Sequence, residues 1–289
     1  MIRTALRVVR PPPEPGALPS PASSAAPVAA AMAASLSAAA RSVLAFDRVG
    51  FAYDGRRVMR DVSFRVAPGE IVALLGPSGC GKTTILNMIA GFLAPTEGVA
   101  LLDGRAIAGP GPDRGVVFQA AALFDWMSVA ENIAFSLRCA GRPKRERRRV
   151  AEEMAALVGL AGREDAYPYA LSGGMRQRVG LARVLAARPR VMLMDEPFSA
   201  LDVQTREALQ EEVLRIRDRT GCTVVFVTHS IDEAVFLGDR IFLLEDIREG
   251  RFETFDVDLP APRAAPENRL APGFLRLRET IYRRMRHTG

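Results

Sequence analysis

Residues 76–83 read GPSGCGKT, a match to G-x-x-x-x-G-K-[ST]. That spacing suits one task, the cradling of a phosphate chain. Gly76, Gly79 and Gly81 let the backbone curl until several N–H groups face one point, with Pro77, Ser78 and Cys80 between them. A helix that starts at the end of the loop adds the positive end of its dipole. Lys82 supplies a compact charge for the outer phosphates, Thr83 a hydroxyl for Mg2+, and Thr84, the next residue of the helix, completes the expected ATP-binding set. The chain uses 37 arginines and only two lysines. A lysine at position 82 fits a loop in which a planar guanidinium would fit poorly.

A second candidate is VMLMDE (191–196), an apolar run that ends in two carboxylates. Phosphate hydrolysis needs one carboxylate to hold the metal and one base to orient the attacking water. Asp195 and Glu196 are the candidates for those roles. LSGGMRQR (171–178), which includes Leu171, Ser172, Gly173, Gly174, Met175 and Gln177, resembles the signature motif of ABC ATPases. The other elements of that family follow in its order. Tyr53 in FAYDG resembles the aromatic residue that stacks on adenine, and Gln119 in VVFQ the Q-loop glutamine. Ser199, Ala200, Leu201 and Asp202 resemble the D-loop, and His229 in VTHS the switch histidine. The resemblance spans roughly 44–250.

The resemblance implies a mechanism. ATP with Mg2+ would lie between the phosphate loop of one copy and the signature of a second copy, arranged head to tail. Thr83, Gln119 and Asp195 would hold the metal. Glu196, with His229, Gln119 and Lys82, would carry out hydrolysis. The signature opens a helix, so it offers N–H donors to the γ-phosphate of the partner's ATP. The partners implied are integral membrane permease subunits and an external solute-binding protein. The place implied is the cytoplasmic face of the inner membrane, with the chain held there peripherally through the permease.

LFDWMSVAENIAFSL (123–137) is similar to the corresponding segment of the nitrate, sulfonate and taurine importer family. So is the chain end, DVDLPAPR (256–263) followed by FLRLRETIYRRM (274–285). Phe124-Asp125 before Trp126 and Ser230 after His229 depart from that family's usual residues. The alternatives are an ABC transporter subunit for an unrelated solute and, as the competing class, a non-transport ABC ATPase of DNA repair or ribosomes. Repair members carry a long coiled coil between phosphate loop and signature, and no heptad run occurs here.

These residues need elements to hold them. Segments 43–49, 58–66 and 98–103 read as short strands, with Val62, Phe64 and Val66 alternating with polar neighbours. Runs such as 71–75, 114–118, 191–194, 223–227 and 240–244 are almost wholly apolar, as in parallel strands covered on both faces. Leu209, Val213 and Ile216 mark one face of a helix over 203–219. The fold class is α/β: a RecA-like P-loop NTPase with a mainly parallel sheet, an antiparallel β-subdomain and a helical signature subdomain over about 120–172. The expected boundaries are a disordered Ala- and Pro-rich tail over 1–42, an ATPase domain over 43–250 and a short arm over 251–289.

The net charge of +6 sits in the two ends, +3 in 1–42 and +3 in 251–289, which leaves 43–250 neutral. A nucleic-acid binder concentrates its charge on the folded domain, so no nucleic-acid partner is expected. The basic run GRPKRERRRV (141–150) reads as a solvated helix face. Cys80, Cys139 and Cys222 read as free thiols, and with only two histidines a structural zinc site is not expected. No apolar run reaches the ~18 residues of a membrane span.

Overall fold

A computed structural model describes residues 42–287. The tail expected over 1–42 lies, except for Ser42, outside the described residues. The described chain opens with a hairpin in which β1 (Leu44–Tyr53) pairs antiparallel with β2 (Arg56–Val66). Asp54 and Gly55 turn it, both at positive φ, as a two-residue Asp-Gly hairpin requires. β1 runs past the end expected near 49. Register shifts after Phe46 and Val49, with Arg48 at φ 49, mark bulges that interrupt the alternation without ending the strand.

β3 (Ile71–Leu75) leads into α1 (Lys82–Ala90). β4 (Glu97–Leu102) and β5 (Arg105–Ala106) then complete a four-stranded antiparallel sheet in the order β2-β1-β4-β5. A second sheet takes β3 together with β6 (Arg114–Val117), β7 (Val191–Asp195), β8 (Thr223–Thr228), β9 (Arg240–Asp246) and β10 (Arg251–Asp256). Its order is β10-β9-β3-β8-β7-β6. All neighbours are parallel except β10, which runs antiparallel to β9. The boundary expected at 250 therefore falls within a hairpin of this sheet. Gly250, at φ 71, closes the turn, and its packing against the Arg60 carbonyl leaves little room for a side chain.

Every residue of β3 is buried. Ile71, Ala73 and Leu75 enter one core, and Val72 and Leu74 enter another with α1 and the antiparallel sheet. This two-sided burial explains the unbroken apolar runs. Each fully buried Val, Ile or Leu side chain among them contributes about 1.5–3 kcal/mol.

Between β6 and β7 the chain forms α2 (Val129–Ile133), α3 (Phe135–Cys139), α4 (Lys144–Leu157) and α5 (Gly173–Ala186). Ser128 and Glu131 make a capping box at α2. Asn132, fully buried, knits the preceding loop by accepting from Phe124 N at 2.9 Å and donating to the Phe124, Met127 and Ser128 carbonyls. The basic run lies in and before α4, where Arg148 meets Glu152 at 2.6 Å and Asp165 at 2.8 Å, and Arg149 meets Glu153 at 3.3 Å. Local pairing of this kind is the behaviour of a solvated face.

α6 (Val203–Thr220) starts at Asp202, which caps it by accepting from Thr205 N at 3.0 Å. Its Leu209, Val213 and Ile216 are buried on one face. α7 (Ile231–Leu237) follows β8. The arm ends in α8 (Pro272–His287), whose Phe274 and Ile281 join the main core. Arg263 donates to the Phe236 and Gly238 carbonyls at 3.2 and 2.8 Å and so caps α7. Among the described residues no helix is long and apolar enough to cross a membrane.

Candidate functional site

The loop 76–81 leaves the buried end of β3 and turns into α1 at Gly81, whose φ of 100 suits glycine. A Cβ at Gly81 would run into Ile247 Cδ1, so glycine is required here by packing as well as by backbone. Pro77, Ser78, Gly79 and Thr83 are exposed, whereas Lys82 is 6% exposed. Its ammonium is drawn into the loop, donating to the Gly76 and Pro77 carbonyls at 2.8 and 2.7 Å. Cys80 Sγ lies 3.9 Å from the same nitrogen. Burial pushes the Cys80 thiol pKa up, and the Lys82 charge pulls it partly back. Thr84 continues α1.

β7 brings Asp195 and Glu196 to the same end of the sheet. Burial and the adjacent Glu196 charge raise the Asp195 carboxyl pKa, while Lys82 opposes them. Glu196 adopts φ 44, a left-handed conformation that side chains rarely take. It is held on both sides: its N–H donates to the Val227 carbonyl at 3.1 Å, and its own carbonyl accepts from Ser199 N at 3.2 Å and Ser199 Oγ at 2.9 Å. His229 Nδ1 lies 3.4 Å from Glu196 Oε2, with both side chains partly exposed. Gln119 Nε2 donates to Ser199 Oγ at 3.0 Å. The end of β6, the end of β7 and the loop after β8 thus meet at one point, and one serine ties Gln119 to the Glu196 backbone.

Among the described residues no three His, Cys, Asp or Glu side chains converge as a metal cluster. Asp195 and Glu196 nevertheless oppose each other electrostatically, and such a pair favours a cation. Mg2+ characteristically takes one or two carboxylates and fills its remaining positions with phosphate oxygens and water. The residues present fit that pattern.

Tyr53 ends β1, 48% exposed, with its ring edge-on to Phe51 at 4.6 Å. Val58 Cγ1 lies 3.9 Å from where a Gly81 Cβ would stand, which places the antiparallel sheet beside the phosphate loop.

Ser172 caps α5, accepting from Met175 N at 3.3 Å. Ser172 and Gly173 are exposed, and Gly174 is buried so closely on Thr205 that a Cβ would clash with its methyl. Leu171 and Gln177 point inward. Gln177, 5% exposed, donates to the Phe118 carbonyl at 3.2 Å, so it braces the chain just before Gln119. Ala200 and Asp202 are exposed, with Leu201 partly covered.

Sequence reasoning missed Glu233, 7% exposed, which accepts from Thr228 Oγ1 at 2.5 Å beside His229. The only sequence signal is an acid in the first turn after a capping serine. It also missed the β9–β10 turn, where Asp246, Ile247 and Arg248 wall a cleft of about 240 Å³ against the phosphate loop. That contact joins residues about 170 positions apart, and no local pattern encodes it.

The comparisons agree with this geometry. The family described as ABC transporter matches residues 59–199. An uncharacterized ABC transporter ATP-binding protein of Methanocaldococcus jannaschii is 50% identical over 234 residues, 80% of this chain and 86% of that one. A taurine import ATP-binding protein of Pseudomonas entomophila is 45% identical over 250 residues, 84% and 96% of the two chains. Among solved structures, a dimeric post-hydrolysis ATP-binding cassette bound to ADP and Pi aligns with TM-score 0.63 at 30% identity, covering 74% of this chain and 99% of that one. CbiO1 from Clostridium perfringens, part of the cbiONQ transporter complex, aligns with TM-score 0.71 at 25% identity over 86% and 98% of the chains. A phosphate loop, paired strand-end carboxylates and a histidine within reach, on a fold and sequence so closely matched, identify the chain as an ATPase that belongs to the ATP-binding subunits of ABC transporters.

Proposed function

We propose that the chain powers the import of taurine, or of a related small sulfonate or nitrate-like solute. It works as a head-to-tail dimer that closes on ATP beneath integral membrane permease subunits at the cytoplasmic face of the inner membrane, served by an external solute-binding protein. Relatives named for taurine import and the segment 123–137 support the solute class.

The observation that carries the catalytic reading is Glu196 Oε2 at 3.4 Å from His229 Nδ1, on a backbone pinned at both ends. Glu196 orients water, and His229 holds its carboxylate. Lys82 binds the outer phosphates. Thr83, Asp195 and Gln119 would hold Mg2+, whose chemistry is to offset charge on the phosphates. Tyr53 stacks on adenine. The dimer is supported by α1 and α5 packing into different cores on opposite faces of the sheet. The two glycine-led helix starts serve one ATP most simply when they come from different copies. Glu196→Gln tests this reading: ATP binding should persist, turnover should fall at least ~100-fold, and ATP should trap a dimer on gel filtration. Near-normal turnover would assign the water to another group. In vesicles with the permease and binding protein, taurine should stimulate hydrolysis; stimulation only by an unrelated solute would overturn the substrate class.

A further inference from the structure

Glu233 is a buried carboxylate to which the reaction described so far gives no task. It lies in the first turn of α7. One oxygen accepts from Thr228 Oγ1 at 2.5 Å, and Thr228 Oγ1 in turn accepts from Ser230 N at 3.0 Å. The Glu233 N–H donates to Ser230 Oγ at 3.3 Å. His229 therefore stands between two residues that are both tied to Glu233. The other Glu233 oxygen faces Arg206 Nε at 4.0 Å. Arg206 lies in the first turn of α6, and its Nη2 donates to the Leu201 carbonyl at 2.8 Å. Its Nε is buried without a hydrogen-bond partner.

We propose that Arg206 and Glu233 form a bridge that carries the position of loop 199–202 to the switch loop and so sets where His229 stands against Glu196. The proposal rests on the reading that His229 assists Glu196. Arg206 is fixed to the loop at one edge and faces Glu233 at the other. At 4.0 Å the second contact is Coulombic, and a shift of about 1 Å would make it a hydrogen bond. Ala200 and Asp202 are exposed, so a second copy pressing on the loop would move Leu201 and with it Arg206. Arg206 and Glu233 are positioning residues, because neither reaches substrate.

The test measures steady-state hydrolysis and ATP affinity for Glu233→Gln, Arg206→Met, the double variant, Arg206→Lys and His229→Ala. Glutamine keeps an acceptor for Thr228, and Arg206 is one-third exposed, so both variants are expected to fold; melting curves check this. Each single variant should lose on the order of tenfold in kcat with ATP affinity within about twofold of wild type. The double should lose no more than the worse single, and Arg206→Lys should regain most of the rate. A merely structural role would lower stability and affinity together and would not be rescued by charge. Wild-type kcat in both folded single variants, with His229→Ala inactive, overturns the bridge and spares the histidine. Losses that multiply toward a hundredfold in the double also overturn it, because the residues would then act independently. If His229→Ala hydrolyses normally, the reading beneath the proposal fails, and the bridge fails with it.

Discussion

Replacing Glu196 separates the cost of its backbone from the use of its side chain. At φ 44 the residue occupies a region in which a Cβ costs roughly 1–2 kcal/mol. In ordinary backbone, glycine is instead less stable than alanine by roughly 0.5–1 kcal/mol. Glu196→Ala keeps the Cβ and its strain, and Glu196→Gly removes both. Both variants lose the contact with His229, which is partly exposed and contributes little. The difference between them isolates the backbone, and glycine should be the more stable by about 1 kcal/mol. For a domain of this size that is a melting point roughly 2–4 °C higher. Both should lose at least ~100-fold in turnover. The assays are nucleotide-free melting and single-turnover hydrolysis. A glycine variant that melts below the alanine variant would mean that position 196 bears no left-handed strain, and the view of Glu196 as held in place against its own preference would be wrong.

Three further outcomes follow from the site. Lys82→Ala, which empties the ammonium from the Gly76–Pro77 carbonyl cradle, should lose most ATP affinity by calorimetry while the fold survives; unchanged binding would sink the phosphate-loop assignment. Mixing Lys82→Ala with Ser172→Arg should restore hydrolysis to at most about half, since both lesions then fall on one composite site and the other stays intact; verified mixed dimers that stay inactive at saturating ATP would refute simple complementation. Maleimide at pH 8 should label exposed Cys139 first and buried Cys222 last, because burial raises the Cys222 thiol pKa to about 11; Cys80 should be protected by ATP, and labelling of Cys80 that ATP does not slow would place the nucleotide elsewhere.

Short motifs whose chemistry is local were legible. GPSGCGKT could be placed between strand and helix from sequence because the glycines, the lysine and the following apolar period all act within a few residues. The apolar runs of β3, β7 and β8 were legible because burial on both faces leaves no polar positions. β10 was not, since RFETFD shows no clean period of two and its pairing is fixed by the turn at Gly250 and by β9. The bulged half of β1 was hidden for the same reason: a bulge shifts the alternation by which a strand is recognised. Gln177 shows what a motif leaves unsaid: its amide donates to the Phe118 carbonyl 59 residues earlier, a contact that no local spacing encodes.

On the proposed catalytic reading, the arrangement also explains why sequence-distant residues would have to agree before hydrolysis proceeds. Gln119 lies two residues beyond β6, Glu196 directly follows β7 and His229 directly follows β8, and β6, β7 and β8 are neighbours in the sheet. Each loop leads to a different external element. Beyond Gln119 the chain enters the helical subdomain, whose α5 carries the signature. Beyond Glu196 it forms the loop 199–202 and then α6, and beyond His229 it forms α7. The arm fastens the last two together: Arg269 donates to Gln210 Oε1 on α6 at 2.8 Å and lies 3.6 Å over the Phe236 ring on α7, while Arg278 pairs with Asp232 at 2.8 Å. Movement of the helical subdomain would reach Glu196 through Gln119 and Ser199, which are hydrogen-bonded in series to its backbone. In the proposed dimer, movement of a second copy would reach it through the loop 199–202. If Glu196 is the catalytic carboxylate proposed above, its place on a left-handed backbone at the meeting point of these three loops means that it is positioned only when all three agree, which is what coupling of hydrolysis to an external partner requires.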